Sequence, residues 1–188
     1  MNILQISKTV IEWWVDGLEE KDAHEDIPLI VAIKNRAPNE LLSYLLRSDP
    51  HGARVTDRFG NLPLHLCCQF NEVSYEFFEQ LVDSYKESVS KINKTGLLPL
   101  HKACHFNAPV EMMKLIIKRY PDSVKGKDKH GNLPIHYMYM GMLGPPDSDK
   151  LNLMLKCYAN ALSVMNNKGF LPLMMMNCPQ DRYKDEYL

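Results

Sequence analysis

The sequence predicts an all-α protein built as a stack of short helix pairs, and three observations predict it. A nonapeptide recurs: Asp57–His65 reads DRFGNLPLH, Asn93–His101 NKTGLLPLH, Asp128–His136 DKHGNLPIH and Asn166–Met174 NNKGFLPLM. Asp22–Ile30, DAHEDIPLI, is a fainter copy with Glu25 in the glycine slot. The period is nearly constant, since Pro28, Pro63, Pro99, Pro134 and Pro172 are spaced by 35, 36, 35 and 38 residues. Self-similarity of this length marks stacked repeats. Finally, the apolar pairs Leu45-Leu46, Leu81-Val82, Ile116-Ile117 and Met154-Leu155 each precede an equivalent end position: Asp49, Tyr85, Tyr120 and Tyr158. From each end position to the next glycine slot is eleven residues.

Each unit follows the same order. The glycine three residues before the proline suits a positive φ in a tight turn. The proline opens a helix, where its missing N–H costs nothing. A short apolar helix follows, such as Leu64–Phe70 or Leu100–Phe106. Asn71 and Asn107 then accept a left-handed turn. Pro38, Ser74, Pro109 and Ser148 start a longer helix, and a loop leads to the next glycine.

In chain order, residues 1–21 read as a leading helix, on Ile3, Ile6, Val10, Ile11 and Trp14 at helical spacing. At least one of Trp13 and Trp14 is core packing against the next helix in this reading, with a ligand platform as the alternative. Residues 22–55 are repeat 1 and an N-terminal cap, 56–91 repeat 2 and 92–126 repeat 3. Residues 127–164 are repeat 4, with an inserted loop at 141–147 that is either a recognition loop or a tolerated insertion. Residues 165–188 are an incomplete C-terminal cap, in which Met174-Met175-Met176 replaces the histidine-containing helix. The chain is thus one domain, 1–188, of five repeats plus a leading helix.

With Pro63-Leu64-His65, Pro99-Leu100-His101 and Pro134-Ile135-His136 in register, the unit resembles the ankyrin repeat. That family's hallmark is a turn with a TPLH-like tetrapeptide before two antiparallel helices. The sequence departs from it at Leu62, Leu98 and Leu133, which replace a threonine. In the family that hydroxyl caps the helix and holds the histidine; leucine can do neither. Asn71-Glu72 and Asn107-Ala108 replace the Gly-His between helices, and Tyr120-Pro121-Asp122 stands where a glycine would follow the second helix. The resemblance implies that His65, His101 and His136 form a structural ladder, each bonding loop backbone of an adjoining unit. It also implies a concave face of hairpin tips and short helices that meets a partner.

By position, that face carries Arg58, Phe59 and Asn61; Lys94, Thr95 and Leu97; Lys129, His130 and Asn132; and Asn167, Lys168 and Phe170. The short helices add Gln69, Phe70, His105, Phe106 and Met140. Arg58, Lys94, Lys129 and Lys168 are read as equivalent tip positions forming a basic edge beside Phe59, Phe70 and Phe106. Aromatic residues with Arg are the material of interface hot spots.

Composition narrows the class. The chain has 188 residues, 45% of them hydrophobic, with formal net charge −1, ordinary values for one soluble domain. No apolar run approaches the ~20 residues of a membrane helix. The N-terminus lacks a signal peptide's features. Five cysteines, an odd number with Cys67 and Cys68 adjacent, read as reduced thiols of an intracellular protein, in the cytoplasm or else the nucleus. Charge is uneven: residues 12–26 hold seven acids against Lys21, and residues 86–131 hold ten Lys/Arg against four acids. A gradient along a stack gives a partner a direction to dock in.

The leading functional reading is a non-enzymatic interaction module, an adaptor or assembly subunit. It needs no cofactor, and its partner is another protein presenting acidic residues beside apolar ones. Two alternatives stand. One is a metal or enzymatic site using His65, Cys67, Cys68, Cys104 and His105. The other is nucleic-acid binding by the basic centre, with steep salt dependence.

Overall fold

The computed structural model describes residues 26–140 and 146–177. The expected leading helix with Trp13 and Trp14, most of the inserted loop and the end of the C-terminal cap lie outside the described residues. Among the described residues there are eight α-helices and no strand.

Four helices are short: α1 (Pro28–Lys34), α3 (Pro63–Cys67), α5 (Pro99–His105) and α7 (Pro134–Tyr139). Each has its repeat proline in the first turn. They alternate with four helices of ten residues: α2 (Asn39–Ser48), α4 (Tyr75–Ser84), α6 (Val110–Arg119) and α8 (Ser148–Cys157). The short helices pack on one another in chain order, α1 on α3, α3 on α5 and α5 on α7. The long ones do the same, α2 on α4, α4 on α6 and α6 on α8.

Two layers result, with the core between and within them. From the long layer it takes Leu42, Leu45 and Leu46, then Phe77, Phe78, Leu81 and Val82, then Met112, Met113, Ile116 and Ile117, then Met154. These lie at helical spacing on one face, so each long helix is amphipathic and cannot stand alone. Leu155 is only half-buried.

The sequence reads plain loops after the long helices. The structure instead places a five-residue 3₁₀ turn after each: Pro50–Arg54, Lys86–Ser90, Pro121–Lys125 and Ala159–Ser163. The preceding residue, Asp49, Tyr85, Tyr120 or Tyr158, breaks the α-helix with φ from −135° to −148°. A buried small or branched pair, such as Ser88 and Val89 or Ser123 and Val124, then anchors the turn. Short segments of this kind are where the tighter 3₁₀ helix is commonly used.

Two helix-end expectations need correction. Asn107 is left-handed at φ 55°, but its counterpart Asn71 is not; in the first unit Arg36 takes that role at φ 53°. The cause is that α3 stops at Cys67. Gln69 N–H then donates to Leu66 O and Phe70 N–H to Cys67 O, so the chain turns before reaching Asn71. The cap of α8 is Asp147, not Ser148. Its carboxylate accepts from Asp149 N–H at 2.8 Å and Lys150 N–H at 3.3 Å, and a negative charge there also suits the helix dipole.

Candidate functional site

The histidine column orders the hairpins. His65 Nδ1 accepts from Leu62 N–H at 3.2 Å, and its Nε2 donates to Leu97 O of the next hairpin at 3.0 Å. His101 does the same with Leu98 N–H (3.0 Å) and Asn132 O (3.2 Å). His136 repeats it with Leu133 N–H and Phe170 O. The histidine therefore supplies the helix cap that leucine cannot. Burial pushes His65 and His101 down to about 4, and lowers His136 as well. All three are neutral near pH 7, with both ring nitrogens spent on backbone.

The hairpin openers do a second job. Asp57 Oδ1 accepts from the N–H groups of Phe59 and Asn61 at 2.9 and 2.8 Å. Its Oδ2 accepts from Asn61 Nδ2 at 3.2 Å and lies 3.4 Å from Lys34 Nζ. The next opener, Asn93, donates from Nδ2 to Asn61 Oδ1 at 2.8 Å. The pattern repeats one pair later, where Asp128 holds Asn132 and Asn166 donates to Asn132 Oδ1 at 2.7 Å. Asp and Asn openers thus alternate and stitch neighbouring tips side chain to side chain. The tips also touch through backbone, Lys94 N–H to Phe59 O and Asn167 N–H to His130 O.

These bonds correct the partner-facing set. Asn61 and Asn132 are buried and their amides are used between hairpins, and Leu97 is packed in the core at 2% exposure. Met140 is buried as well. The basic edge also shifts register. Asn167 makes the backbone bond that Lys94 makes, so Asn167 holds the fourth tip slot and Lys168 sits one residue beyond it.

Over the tips and short helices lies a groove of about 600 Å³. It gathers eight of the residues picked from sequence: Phe59, Asn61, Gln69, Phe70, Thr95, Phe106, Lys129 and His130. Arg58, Lys94, Leu97, His105, Asn132 and Lys168 are not among its lining residues. Arg58 and Lys94 are nonetheless exposed at its rim. Lys94 Nζ donates to Arg58 O at 2.8 Å, and the Arg58 guanidinium lies 4.7 Å from the Phe59 ring centre. His105 packs edge-on against Phe106 and Tyr137.

The groove also holds residues that the sequence reading passed over: Lys34, Asp57, Leu66, Asn93 and Lys102. Lys102 is unusual. It is 5% exposed, and its ammonium lies 5.6 Å from the Phe106 ring centre. Among the described residues no hydrogen-bond acceptor or carboxylate pairs with it. Burial lowers its pKa, against the opposing pull of the Asp57 charge and the Cys68 thiol. The signal was present in the sequence. Lys102 fills the slot of Leu66 and Tyr137 in adjacent units, a lysine in an otherwise apolar column.

Cys67, Cys68 and Cys104 are buried, and burial raises all three thiols, the opposite of an activated nucleophile. Among the described residues no group of three or more His, Cys, Asp or Glu is arranged to hold a metal ion. Nor, among them, is any helix long and apolar enough to cross a membrane. No protein-family model matches the chain, and no curated protein matches it.

Proposed function

We propose that the chain is an ankyrin-type repeat protein acting as a non-enzymatic interaction module, with the groove over its hairpin tips as the partner surface. Two packed layers of helices, the hairpin period and the histidine bridges support the family reading. One observation carries the functional reading. Phe59, Phe70 and Phe106 line a single groove whose floor has already satisfied its own backbone and carboxylate bonds. Phe59 is 40% exposed, and the basic tips Arg58 and Lys94 flank it. Aromatic surface in a concave site with a charged rim is suited to a protein segment with apolar and acidic residues.

The enzymatic alternative draws no support from the thiols, which are pushed away from reactivity. The nucleic-acid alternative must explain why Phe59, Leu66, Phe70 and Phe106 stand among the groove's lysines, and why one of those lysines, Lys34, is already paired with Asp26 and Asp57. Capturing the partner from the native source by affinity purification, with mass spectrometry, opens the test. The variants then decide. Lys94→Glu with Lys129→Glu should slow association and flatten its salt dependence. Phe59→Ala or Phe106→Ala should speed dissociation, at a cost of ~2 kcal/mol each if they are hot spots. Parent-like binding by all of these folded variants would end the proposal.

A further inference from the structure

We infer that Lys102 is the receptor for a single carboxylate, that of an Asp or Glu side chain which the partner inserts between Phe106 and the hairpin tips. The inference rests on the reading of the groove as the partner surface, and it names the chemistry of the contact. Three observations carry it. Lys102 lies on the groove wall, 5% exposed, and its ammonium has no acceptor among the described residues. A buried charge without a partner is costly and is normally paired.

The pairing available elsewhere in the repeat is missing here. One unit on, Tyr137 fills the same slot and donates its hydroxyl to its own opener, Asp128, at 2.5 Å. The opener of the Lys102 unit is the neutral Asn93. Its Oδ1 already accepts from Thr95 N–H, Thr95 Oγ1 and Leu97 N–H, and its Nδ2 donates to Asn61.

The groove's own carboxylate is also taken. Asp57 has two backbone donors, the Asn61 amide and Lys34. An incoming carboxylate therefore meets an unpaired ammonium and a satisfied anion. The neighbouring Phe59, Phe70 and Phe106 fit apolar residues on either side of the acidic one. A phosphate from nucleic acid is less well matched: of the three lysines lining the groove, Lys34 is paired with Asp26 and Asp57 and Lys129 is exposed at a tip, so Lys102 alone presents an ammonium from the buried wall beside Phe106.

The test pans a phage-displayed library of random twelve-residue peptides against the purified full chain, then measures peptide affinities for wild type and Lys102→Met. Enriched peptides should carry Asp or Glu next to an aromatic or large aliphatic residue. Changing that acid to its amide should weaken binding to wild type by about 30-fold or more. Against Lys102→Met the acid and amide peptides should bind alike. The variant should also melt at higher temperature, since a flexible apolar chain replaces an unpaired buried charge.

Peptides that lose binding on Phe106→Ala yet show no acid preference, and bind Lys102→Met as they bind wild type, would overturn the carboxylate assignment while leaving the groove reading standing. Peptides indifferent to both Phe59→Ala and Phe106→Ala would overturn both. Salt-dependent binding of a single-stranded oligonucleotide that disappears in Lys102→Met, with no peptide enriched, would replace the carboxylate by a phosphate.

Discussion

A histidine with both ring nitrogens committed to backbone has nowhere to put a second proton. For His65, Nδ1 is an acceptor toward Leu62 N–H, so protonating it breaks a helix cap as well as charging a buried ring. Desolvation is the leading cause of the lowered values. Lys102 adds to it at His65, and the charges of Asp57 and Asp128 oppose it at His65 and His101 respectively. The folded pKa of both is about 4, below the usual 6.5. Stability is therefore full above pH 6.5 and falls as pH drops from 6.5 toward 4, because the unfolded chain binds protons that the folded chain refuses. Denaturant titrations across this range should show stability falling by up to ~1.4 kcal/mol per pH unit for each such histidine. A flat profile between those limits would contradict the ladder as described. Replacing His101 by Ala orphans Leu98 N–H and Asn132 O together. It should destabilise by about 3 kcal/mol, measured by urea denaturation at pH 7.

The hairpin tips show how much one atom decides at the scale of an element. Gly60 has φ 76°, and a Cβ there would lie 2.9 Å from Lys94 N of the next hairpin. Gly169 has φ 78°, but nothing within 4 Å of the same position. Gly169→Ala should thus cost only the left-handed penalty, about 1–2 kcal/mol. Gly60→Ala should cost more, since the neighbouring hairpin must also move; thermal denaturation of the two variants gives the comparison. Equal losses would mean that the hairpins do not press on one another there. These elements were legible in the sequence because the glycine, the proline and the apolar pairs each have a local physical meaning. The burial of Asn61 and Asn132 was not. It depends on an opener in one unit reaching an amide in another, and on Asp and Asn alternating, which a unit-by-unit alignment hides. The 3₁₀ turns escaped for a similar reason, because Tyr120-Pro121-Asp122 reads as a loop until Ser123 and Val124 are seen buried. Lys102 was visible as a polar residue in an apolar column, yet its lack of a partner is a property of three dimensions.

At the scale of the stack, the described units satisfy their hairpin polar groups within each tip and across to the next one, and this leaves Lys102 as the groove ammonium without an acceptor. The histidines close the tips from beneath, the openers close them side to side, and Lys102 remains on the groove wall beside Phe106. Stability and recognition are consequently separable. Variants of the ladder should lower stability with little change in affinity at neutral pH, and variants of the exposed groove residues Phe59, Lys94 and Lys129 should do the reverse. The most direct test of the groove as the binding surface is the amide NMR spectrum of the ¹⁵N-labelled chain, titrated with the captured partner or a selected peptide. The account predicts shifts confined to the tips at residues 57–61, 93–97 and 128–132 and to α3 and α5, with α4 and α6 unmoved. Shifts concentrated on the exposed faces of α4 and α6, with the tips unchanged, would contradict it.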